Sequence, residues 1–285
     1  MLNFCYRASL RLRNFLKSRS RIVSYDGIKW NVSLNNALDV HVISNEGIYD
    51  KRMPFIFDLL NPKSTVIDVG SNKGYWTLVL ARFFDTCYSI EADPINYQEL
   101  MRNLDLNPSL ATRVIPLNSA ATNFDGEVIL NVRRSIDGDG NLNTGLSSLV
   151  MKTLGQRSCS VNALRIDTLL TTSTSPISFI KIDCEGAESD VLKGASTTIQ
   201  KNLPIIFWEA AFSLDIGAEN SNVSFCWLFL SDLGYVHFIV SDNGEFRVMD
   251  ILSEIESLGY DTDVVSVHKE QIPQLDHANG IFRRI

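Results

Sequence analysis

Short apolar runs alternate with segments of helical spacing over most of the chain. Unbroken apolar runs of this kind are typical of strands that are buried on both faces of a sheet. They lie at residues 65–70, 87–92, 113–118, 179–183, 205–210 and 235–240. Between them, apolar residues with a helical period occupy residues 73–84, 94–107, 187–201 and 222–233. This alternation predicts an α/β fold in which helices cover both faces of a mostly parallel sheet.

The N-terminal part follows a different pattern. Residues 2–19 have the spacing of an amphipathic helix, with apolar residues on one face and arginines on the other. Strand-like alternation follows in IKWNVSL (28–34) and in DVHVIS (39–44), and a further helix is predicted at 51–60. We therefore treat residues 1–50 as a small appendage of one helix and short strands.

The main domain, residues 51–285, contains one interruption of its strand–helix rhythm, at 119–166. EVILNV (127–132) is strand-like, and the polar run DGDGNLNTG (137–145) that follows it predicts a mobile insertion or lid. After the last helix–strand unit, the pattern predicts an acidic helical stretch and then a final strand, at 249–258 and 280–285.

Charge is distributed unevenly along the chain. The 285 residues carry a net charge of −7, and 45% of them are hydrophobic, which is typical of a globular protein and excludes a disordered chain. Residues 1–25 hold six basic groups and no acidic one, and removing these six from the net charge leaves −13 for the rest. The acidic body disfavours a nucleic-acid partner, because phosphates require a basic surface. The basic segment 1–21 could lie on an anionic membrane surface or pack on the domain with its arginines in solvent.

Cysteine spacing and hydropathy indicate where the chain resides. The five cysteines show no CxxC spacing, and the four histidines are isolated from them, so neither disulfides nor a metal site is predicted. No apolar stretch reaches the roughly 18 residues of a membrane-spanning helix. Arginines interrupt any apolar signal-peptide core near the N-terminus. We therefore expect a cytoplasmic protein, with contact to the inner face of the membrane if segment 1–21 binds lipid.

A glycine-containing turn follows the first apolar strand of the main domain. TVIDVG (65–70) leads into Ser71-Asn72-Lys73-Gly74 and a helix, so Gly70 and Gly74 allow a ligand to approach the backbone. Glu91 ends the next strand, 21 residues after Gly70. This is the spacing at which a carboxylate accepts hydrogen bonds from the ribose hydroxyls of a nucleoside.

The same turn distinguishes between nucleoside cofactors. In a GxGxxG dinucleotide motif, the second and third glycines would stand at Asn72 and Tyr75, so an NAD or FAD enzyme is disfavoured. S-adenosylmethionine carries no phosphate but has a cationic amino group, which suits Asp68 just before the turn. An ordinary strand–turn–helix with a surface glutamate is the alternative, since short glycine motifs are weak alone.

Four sequence blocks resemble one family in order and spacing. VIDVGSNKGYWTLVLA is similar to motif I of class I S-adenosylmethionine-dependent methyltransferases, and more narrowly to the DVGANxGxxT form of the FkbM family. SIEADPINYQELMRNLDLN, SAATNFDGEVIL and ISFIKIDCEGAESDVLKGA with the trailing PIIFWE resemble three further blocks of that family. The resemblance covers residues 47–212. It implies a Rossmann-like, doubly wound, seven-stranded sheet of the class I methyltransferase type.

The resemblance also implies which residues bind S-adenosylmethionine. Ser71 stands where the family usually has alanine, and Ala121-Thr122-Asn123 stands where it has Val-Ser-Asp, and neither change removes a cofactor ligand. The cofactor loop would consist of Asp68, Gly70, Ser71, Asn72 and Gly74. Glu91 would be the ribose carboxylate, with Ala92 beside it, and Asn118 and Ala120 would border the adenine. Asp183 would lie near the methyl group.

An acidic motif follows the fourth apolar strand. Asp183 and Glu185 leave that strand at its carboxyl end, and Glu209 ends the neighbouring strand, so these carboxylates are expected to converge near the reacting methyl group. A hydroxyl acceptor must lose a proton during transfer, and Asp183 is the first candidate to accept it, followed by Glu185 and Glu209. Oxygen ligands suit Mg²⁺, but no ligand spacing requires it, so no metal is predicted.

The predicted activity is methyl transfer from S-adenosylmethionine. The resemblance implies O-methylation of a hydroxyl on a sugar, glycan or natural-product acceptor. Acceptors of another kind, namely a protein, a lipid or a small phenol, remain open, as does a non-catalytic scaffold that retains the fold. The oligomeric state is left open as well.

Overall fold

The computed structural model describes most of the main domain and part of the appendage. The described residues are 20–44, 57, 60–132, 135–136, 142–143, 145, 147–149, 157–211, 222–240, 246–249, 252–253, 261–273 and 282–283. The amphipathic helix at 2–19 and most of the predicted helix at 51–60 lie outside them, so membrane contact through residues 1–21 stays a prediction. Within the described parts, none of the helices has the length and apolarity needed to cross a lipid bilayer.

The described elements alternate between strands and helices, as the sequence predicts. The strands are β1 (Ser20–Tyr25), β2 (Ile28–Ser33), β3 (Thr65–Val69), β4 (Thr86–Glu91), β5 (Val114–Asn118), β6 (Ala120–Ala121), β7 (Gly126–Val132), β8 (Ser135–Ile136), β9 (Leu142–Asn143), β10 (Arg157–Leu164), β11 (Ile177–Ile182), β12 (Ile205–Ala210), β13 (Tyr235–Val240), β14 (Phe246–Met249), β15 (Thr262–His268) and β16 (Phe282–Arg283). The helices are α1 (Ala37–Ser44), α2 (Tyr75–Phe83), α3 (Pro94–Leu106), α4 (Pro108–Ala111), α5 (Ile166–Leu169), α6 (Glu188–Gly194), α7 (Ser196–Asn202) and α8 (Asn222–Asp232).

The central sheet confirms the predicted Rossmann-like fold. Its described strands lie in the order β16-β14-β13-β15-β12-β11-β3-β4-β5. The strands from β12 to β5 are parallel, whereas β15 runs antiparallel to both β12 and β13. The seven strands from β13 to β5 form the expected mostly parallel sheet, and β14 and β16 extend its antiparallel edge.

Both faces of the sheet are covered, because successive side chains of a strand point to opposite faces. Phe179 and Phe207 pack on one face in a core that includes Trp76 of α2. Ile180 and Trp208 pack on the opposite face, in a core that includes residues of α6, α7 and α8. Helices on both faces make the sheet doubly wound, and they leave its carboxyl edge for a ligand.

DVHVIS was predicted as a strand, and this prediction is wrong, because these residues belong to helix α1. The Asn36 Oδ1 atom accepts a hydrogen bond from the Asp39 backbone N–H at 3.2 Å, which caps the start of the helix. Val42 is fully buried in the core that also holds β2 residues. Capping and packing therefore outweigh the local strand preference of the alternating β-branched residues. His41 lies in α1, and its side chain is outside the description.

Two other boundaries differ from the sequence prediction. The helix predicted at 187–201 is divided into α6 and α7 at Ala195. Met249 ends strand β14 instead of starting the predicted helix at 249–258, and Leu252 and Ser253 are the described helical residues of that stretch. Strand β15, in the sequence TDVVSVH, was not singled out by its pattern and lies between β12 and β13.

The insertion at 119–166 forms a small sheet of its own next to the carboxyl edge. Strand β10 pairs with β6 in parallel and with β7 in antiparallel orientation. Most of the polar run 137–145 lies outside the described residues. The insertion reaches the acidic motif, because the Ser148 hydroxyl donates a hydrogen bond of 2.7 Å to the Glu185 backbone carbonyl.

Candidate active site

The loop after β3 has a shape that only glycine permits at two positions. Gly70 has φ +73°, and a Cβ atom there would lie 1.7 Å from the Asp183 backbone oxygen. Gly74 has φ +84°, and a Cβ atom there would lie 2.5 Å from Cδ1 of Leu100. Both residues therefore combine a left-handed backbone with close packing. The loop after β3 and the end of β11 are consequently in direct contact.

Glu91 joins this loop to the next one. Its carboxylate accepts hydrogen bonds of 2.7 Å from the backbone N–H groups of Asn72 and Asp93. The side chain lines the cavity described below but is largely buried, and burial raises the pKa of its carboxyl from 4.5 to about 7. Each carboxylate oxygen has a second lone pair, so the group can still accept hydrogen bonds from two ligand hydroxyls.

Two polar side-chain atoms of the loop after β3 are buried in the cavity wall. The Ser71 hydroxyl and the Asn72 side-chain carbonyl are buried and have no hydrogen-bond partner among the described residues. Both residues line the same cavity as Glu91. Buried polar atoms without partners are costly, and ligand binding is one way to satisfy them. The loop therefore fits a hydrogen-bonding nucleoside ligand.

Asp68 lies beneath the loop instead of in the cavity wall. Its side chain is fully buried, and the Thr77 hydroxyl donates to its Oδ2 atom at 2.6 Å. Burial raises the pKa of the Asp68 carboxyl, and the nearby Lys181 ammonium opposes that rise. The structure thus places Asp68 outside the described lining of the cavity, in contact with Thr77 and Lys181, and its predicted contact with a cofactor amino group stays a prediction.

Three carboxylates converge at the ends of β11 and β12, as the sequence predicts. Oxygen atoms of Asp183, Glu185 and Glu209 all lie within 4.8 Å of one another. Burial, followed by the charges of Asp183 and Glu185, raises the pKa of the Glu209 carboxyl well above its ordinary range. A cation near the three groups would relieve this repulsion. The trio could hold a divalent metal ion through oxygen ligands, or it could face a cationic cofactor.

Lys181 connects the two halves of the site. Its ammonium lies 3.0 Å from Oδ2 of Asp183 and 3.8 Å from Oδ1 of Asp68, and it donates to the Gly70 carbonyl at 3.1 Å. Lys181 and Asp68 are neighbours in the pairing of β11 with β3. Lys181 therefore contacts both the loop and the acidic motif.

Glu188 has a role that the sequence did not indicate. Glu188 is an acid in a first helical turn, where a carboxylate ordinarily interacts favourably with the helix dipole. Instead its fully buried carboxylate accepts hydrogen bonds from the backbone N–H groups of Cys184 and Gly186, at 3.0 and 3.2 Å. Glu188 thereby shapes the turn from which Asp183 and Glu185 extend. Its burial was the missing signal, and a sequence pattern does not show burial of a charged residue.

These groups surround one cavity of about 510 Å³, which is within the range of small-molecule sites. Most of the predicted site residues line it, and Leu38 of α1 and Ser147 of the insertion join them without having been predicted as ligands. Asp68, Gly74 and Asn118 are not in the described lining, and the Asn118 side-chain amide donates to the backbone carbonyls of Glu91 and Ala92. The predicted residues in the lining are Gly70, Ser71, Asn72, Glu91, Ala92, Ala120, Asp183, Glu185 and Glu209.

Comparison with known protein families assigns the chain to one of them. Residues 68–237, which contain the glycine loop and the acidic motif, match the sequence profile described as the methyltransferase FkbM domain. The chain belongs to the FkbM methyltransferase family. This membership agrees with the resemblance of the four sequence blocks and with the strand order of the sheet. A comparison with curated proteins found no match.

Solved structures with a similar fold are distant in sequence. The methyltransferase FkbM from Methylobacillus flagellatus KT is 18% identical, with a TM-score of 0.46 over 81% of this chain and 52% of that one. Trm5b from Pyrococcus abyssi is 10% identical, with a TM-score of 0.44 over 87% and 55%. M. jannaschii TYW2, solved with AdoMet, is 14% identical, with a TM-score of 0.39 over 88% and 85%. The chain described here thus spans about half the length of the first two of these proteins.

Proposed function

We propose that this FkbM-family protein is an S-adenosylmethionine-dependent O-methyltransferase. The observation that carries the proposal is the composition of the cavity, which is lined by a glycine loop, by Glu91 and by three converging carboxylates. When bound, S-adenosylmethionine supplies an electrophilic methyl group on a cationic sulfur. Glu91 would accept hydrogen bonds from the ribose hydroxyls, and the carboxylate trio would face the positive charge.

Asp183 is our candidate for the group that accepts the acceptor's proton. Lys181 holds its carboxylate in place, and Asp183 lines the cavity beside Glu185 and Glu209. Methyl transfer requires the acceptor oxygen, the methyl carbon and the sulfur to lie in line, so groups held in fixed positions around the cavity contribute strongly to the rate. A carboxylate within hydrogen-bonding distance of the acceptor hydroxyl would take its proton as the new C–O bond forms.

The lining of the cavity supports an uncharged, hydroxylated acceptor. Its lining includes five acidic residues, namely Glu91, Asp183, Glu185, Glu209 and Asp261. Among the described lining residues, Lys181 is the single basic one. A phosphate or carboxylate group on the acceptor would add a further negative charge beside these carboxyls, two of which, Glu91 and Glu209, already have raised pKa values because they are buried. A hydroxyl on a sugar, glycan or natural product is therefore our preferred acceptor. Protein, lipid and phenolic acceptors are the alternatives.

Mass spectrometry can identify the acceptor. Glycans, lipids and metabolites from cells with and without the gene should differ in one class of molecule by the mass of one CH₂ group. Purified protein with isotope-labelled S-adenosylmethionine should then label the same molecule. Labelling of a protein or a phenol would show that the acceptor belongs to that class and not to the one we propose. Binding of S-adenosylhomocysteine with no labelling of any fraction would indicate a scaffold that retains the fold.

The first prediction concerns cofactor binding. Calorimetry should show that the wild-type protein binds S-adenosylhomocysteine and that Glu91→Ala weakens this binding by about 100-fold, because two hydrogen bonds to a charged group are lost. Glu127→Ala is the matched control, since this exposed glutamate of β7 accepts a hydrogen bond from the Ser160 hydroxyl and is not among the described residues that line the cavity. Circular dichroism establishes that each variant is folded. A wild-type protein that does not bind S-adenosylhomocysteine would refute the proposed function.

Affinity for S-adenosylhomocysteine should depend on pH through the Glu91 carboxyl. The pKa of the Glu91 carboxyl is raised to about 7, so the group is largely protonated in the free protein below that pH. Ribose hydroxyls favour the ionised form, and affinity for S-adenosylhomocysteine should therefore increase by up to about tenfold per pH unit as pH rises toward 7, then level off. Glu91→Gln should bind weakly and lose most of this dependence. An unchanged pH profile in that variant would assign the dependence to another group.

A further inference from the structure

Helix α1 contacts the cofactor loop through a buried ion pair. The Asp39 carboxylate is 1% exposed and lies outside the residues that match the FkbM profile. Its two oxygens lie 2.8 and 3.0 Å from the Lys73 ammonium, and Lys73 belongs to the cofactor loop. The Tyr75 hydroxyl and the Ser33 backbone N–H also donate hydrogen bonds to this carboxylate. Asp39 thus joins the appendage, the loop and the start of α2.

Lys73 occupies a sensitive position in the loop. It follows Asn72, whose backbone N–H binds Glu91, and it precedes Gly74, where α2 begins. Its own backbone carbonyl accepts a hydrogen bond of 2.8 Å from the Asn103 side chain. The lysine is therefore held at both its side chain and its backbone. A shift of Lys73 would displace the Asn72 backbone and with it the Glu91 carboxylate.

The Asp39–Lys73 ion pair is shielded from solvent. The Lys73 side chain is 8% exposed, so its ammonium would be buried and unpaired if Asp39 lost its charge. An ammonium in that state either draws in water or moves toward solvent, because an uncompensated buried charge is strongly unfavourable. Either response would change the loop. The adjacent residue Leu38 lines the cavity, so α1 already borders the ligand.

We propose that Asp39 is a positioning residue for the cofactor. It holds Lys73 so that the loop presents Asn72 and Glu91 in the geometry that the nucleoside requires. The cofactor site then extends into the N-terminal appendage, beyond the part of the chain that the family profile covers. This inference rests on the proposed function, since it concerns affinity for the same cofactor.

The test compares four variants by calorimetry with S-adenosylhomocysteine, at a temperature where circular dichroism shows each one folded. Asp39→Asn and Lys73→Met should each weaken binding by about tenfold or more, because each leaves a buried charge without its partner. The double variant should bind no more weakly than the worse single variant, since the two residues act through one contact. Asp39→Glu, which keeps the charge, should recover part of the lost affinity.

Asp26→Asn is the matched control. Asp26 also belongs to the appendage, and it pairs with Arg82 in the last turn of α2, at the end of the helix away from the loop. Its side chain is 73% exposed. This variant should bind S-adenosylhomocysteine as the wild type does. A residue with only a structural role would lower the melting temperature without changing the affinity of the folded protein, so unchanged affinity in Asp39→Asn would overturn the inference.

The remaining outcomes are also decisive. If the effects of Asp39→Asn and Lys73→Met on affinity simply add, the two residues act independently and the inference is wrong. If Asp39→Asn does not fold, Lys73→Met decides the matter: weakened binding supports the inference, and wild-type affinity overturns it. A wild-type protein that does not bind S-adenosylhomocysteine overturns the proposed function together with the inference, whereas equal binding by wild type and variants overturns the inference alone.

Discussion

Replacing Gly70 with alanine should abolish detectable binding of S-adenosylhomocysteine. The new Cβ atom would stand 1.7 Å from the Asp183 backbone oxygen, so either the loop or the end of β11 must move. The left-handed backbone at φ +73° adds a further cost of about 1 kcal/mol for any residue with a side chain. Because Gly70 also provides the carbonyl that Lys181 binds, the displacement would reach the acidic motif. Calorimetry and thermal denaturation measure the two effects.

Gly27→Ala separates backbone strain from the steric clash. Gly27 has φ +80°, but nothing lies within 4 Å of a Cβ atom there. It should lower the stability by about 1 kcal/mol and leave cofactor binding unchanged. Gly70→Ala should lower the melting temperature more than this control does. If Gly70→Ala bound S-adenosylhomocysteine with wild-type affinity, the packing of the loop against β11 would have no part in the site.

Asp183→Asn is expected to have the second large effect, on turnover instead of cofactor binding. Loss of a positioned proton acceptor typically lowers kcat by about 10²- to 10⁴-fold. Affinity for S-adenosylhomocysteine should change only a few-fold, because Lys181 keeps its contacts with Gly70 and Asp68. The measurement uses the acceptor identified by mass spectrometry. A kcat close to that of the wild type would remove Asp183 from the chemistry.

Variants of neighbouring carboxylates show whether the effect is specific. Asp190→Asn removes an aspartate that pairs with Lys193 on the exposed surface of α6, and it should leave kcat unchanged. Glu185→Gln and Glu209→Gln test the two other candidates, and a larger loss in either one would transfer the proton-accepting role to it. Repeating the assays after EDTA treatment and with added Mg²⁺ distinguishes proton transfer from metal binding by the same trio.

Elements that are buried on both faces could be predicted closely from the sequence. The runs TVIDVG and IIFWEA correspond to β3 and β12, because strands in the middle of a parallel sheet must be apolar throughout. The positions of Gly70 and Glu91 also followed from spacing. Parallel strands joined by one helix bring their carboxyl ends together, so residues at those ends meet whatever the details of packing.

Elements at the margin of the fold could not be predicted in the same way. DVHVIS alternates like a strand but forms α1, since the Asn36 cap and the burial of Val42 depend on neighbours that local sequence does not show. Strand β15 gives the sheet its antiparallel edge, yet its pattern was not recognised on its own. Short segments near an edge are decided by the surface against which they pack.

The sequence by itself determined the α/β fold, the family and most of the predicted residues that line the cavity, because these depend on periodicity and on short motifs with fixed spacing. Only the tertiary structure showed how those residues are held. Lys181 links the loop to Asp183, Glu188 shapes the acidic turn, and Asp39 binds Lys73 across 34 positions of the chain. Each of these is a buried charged group whose partners are distant in sequence or are backbone atoms, and periodicity carries no information about such contacts.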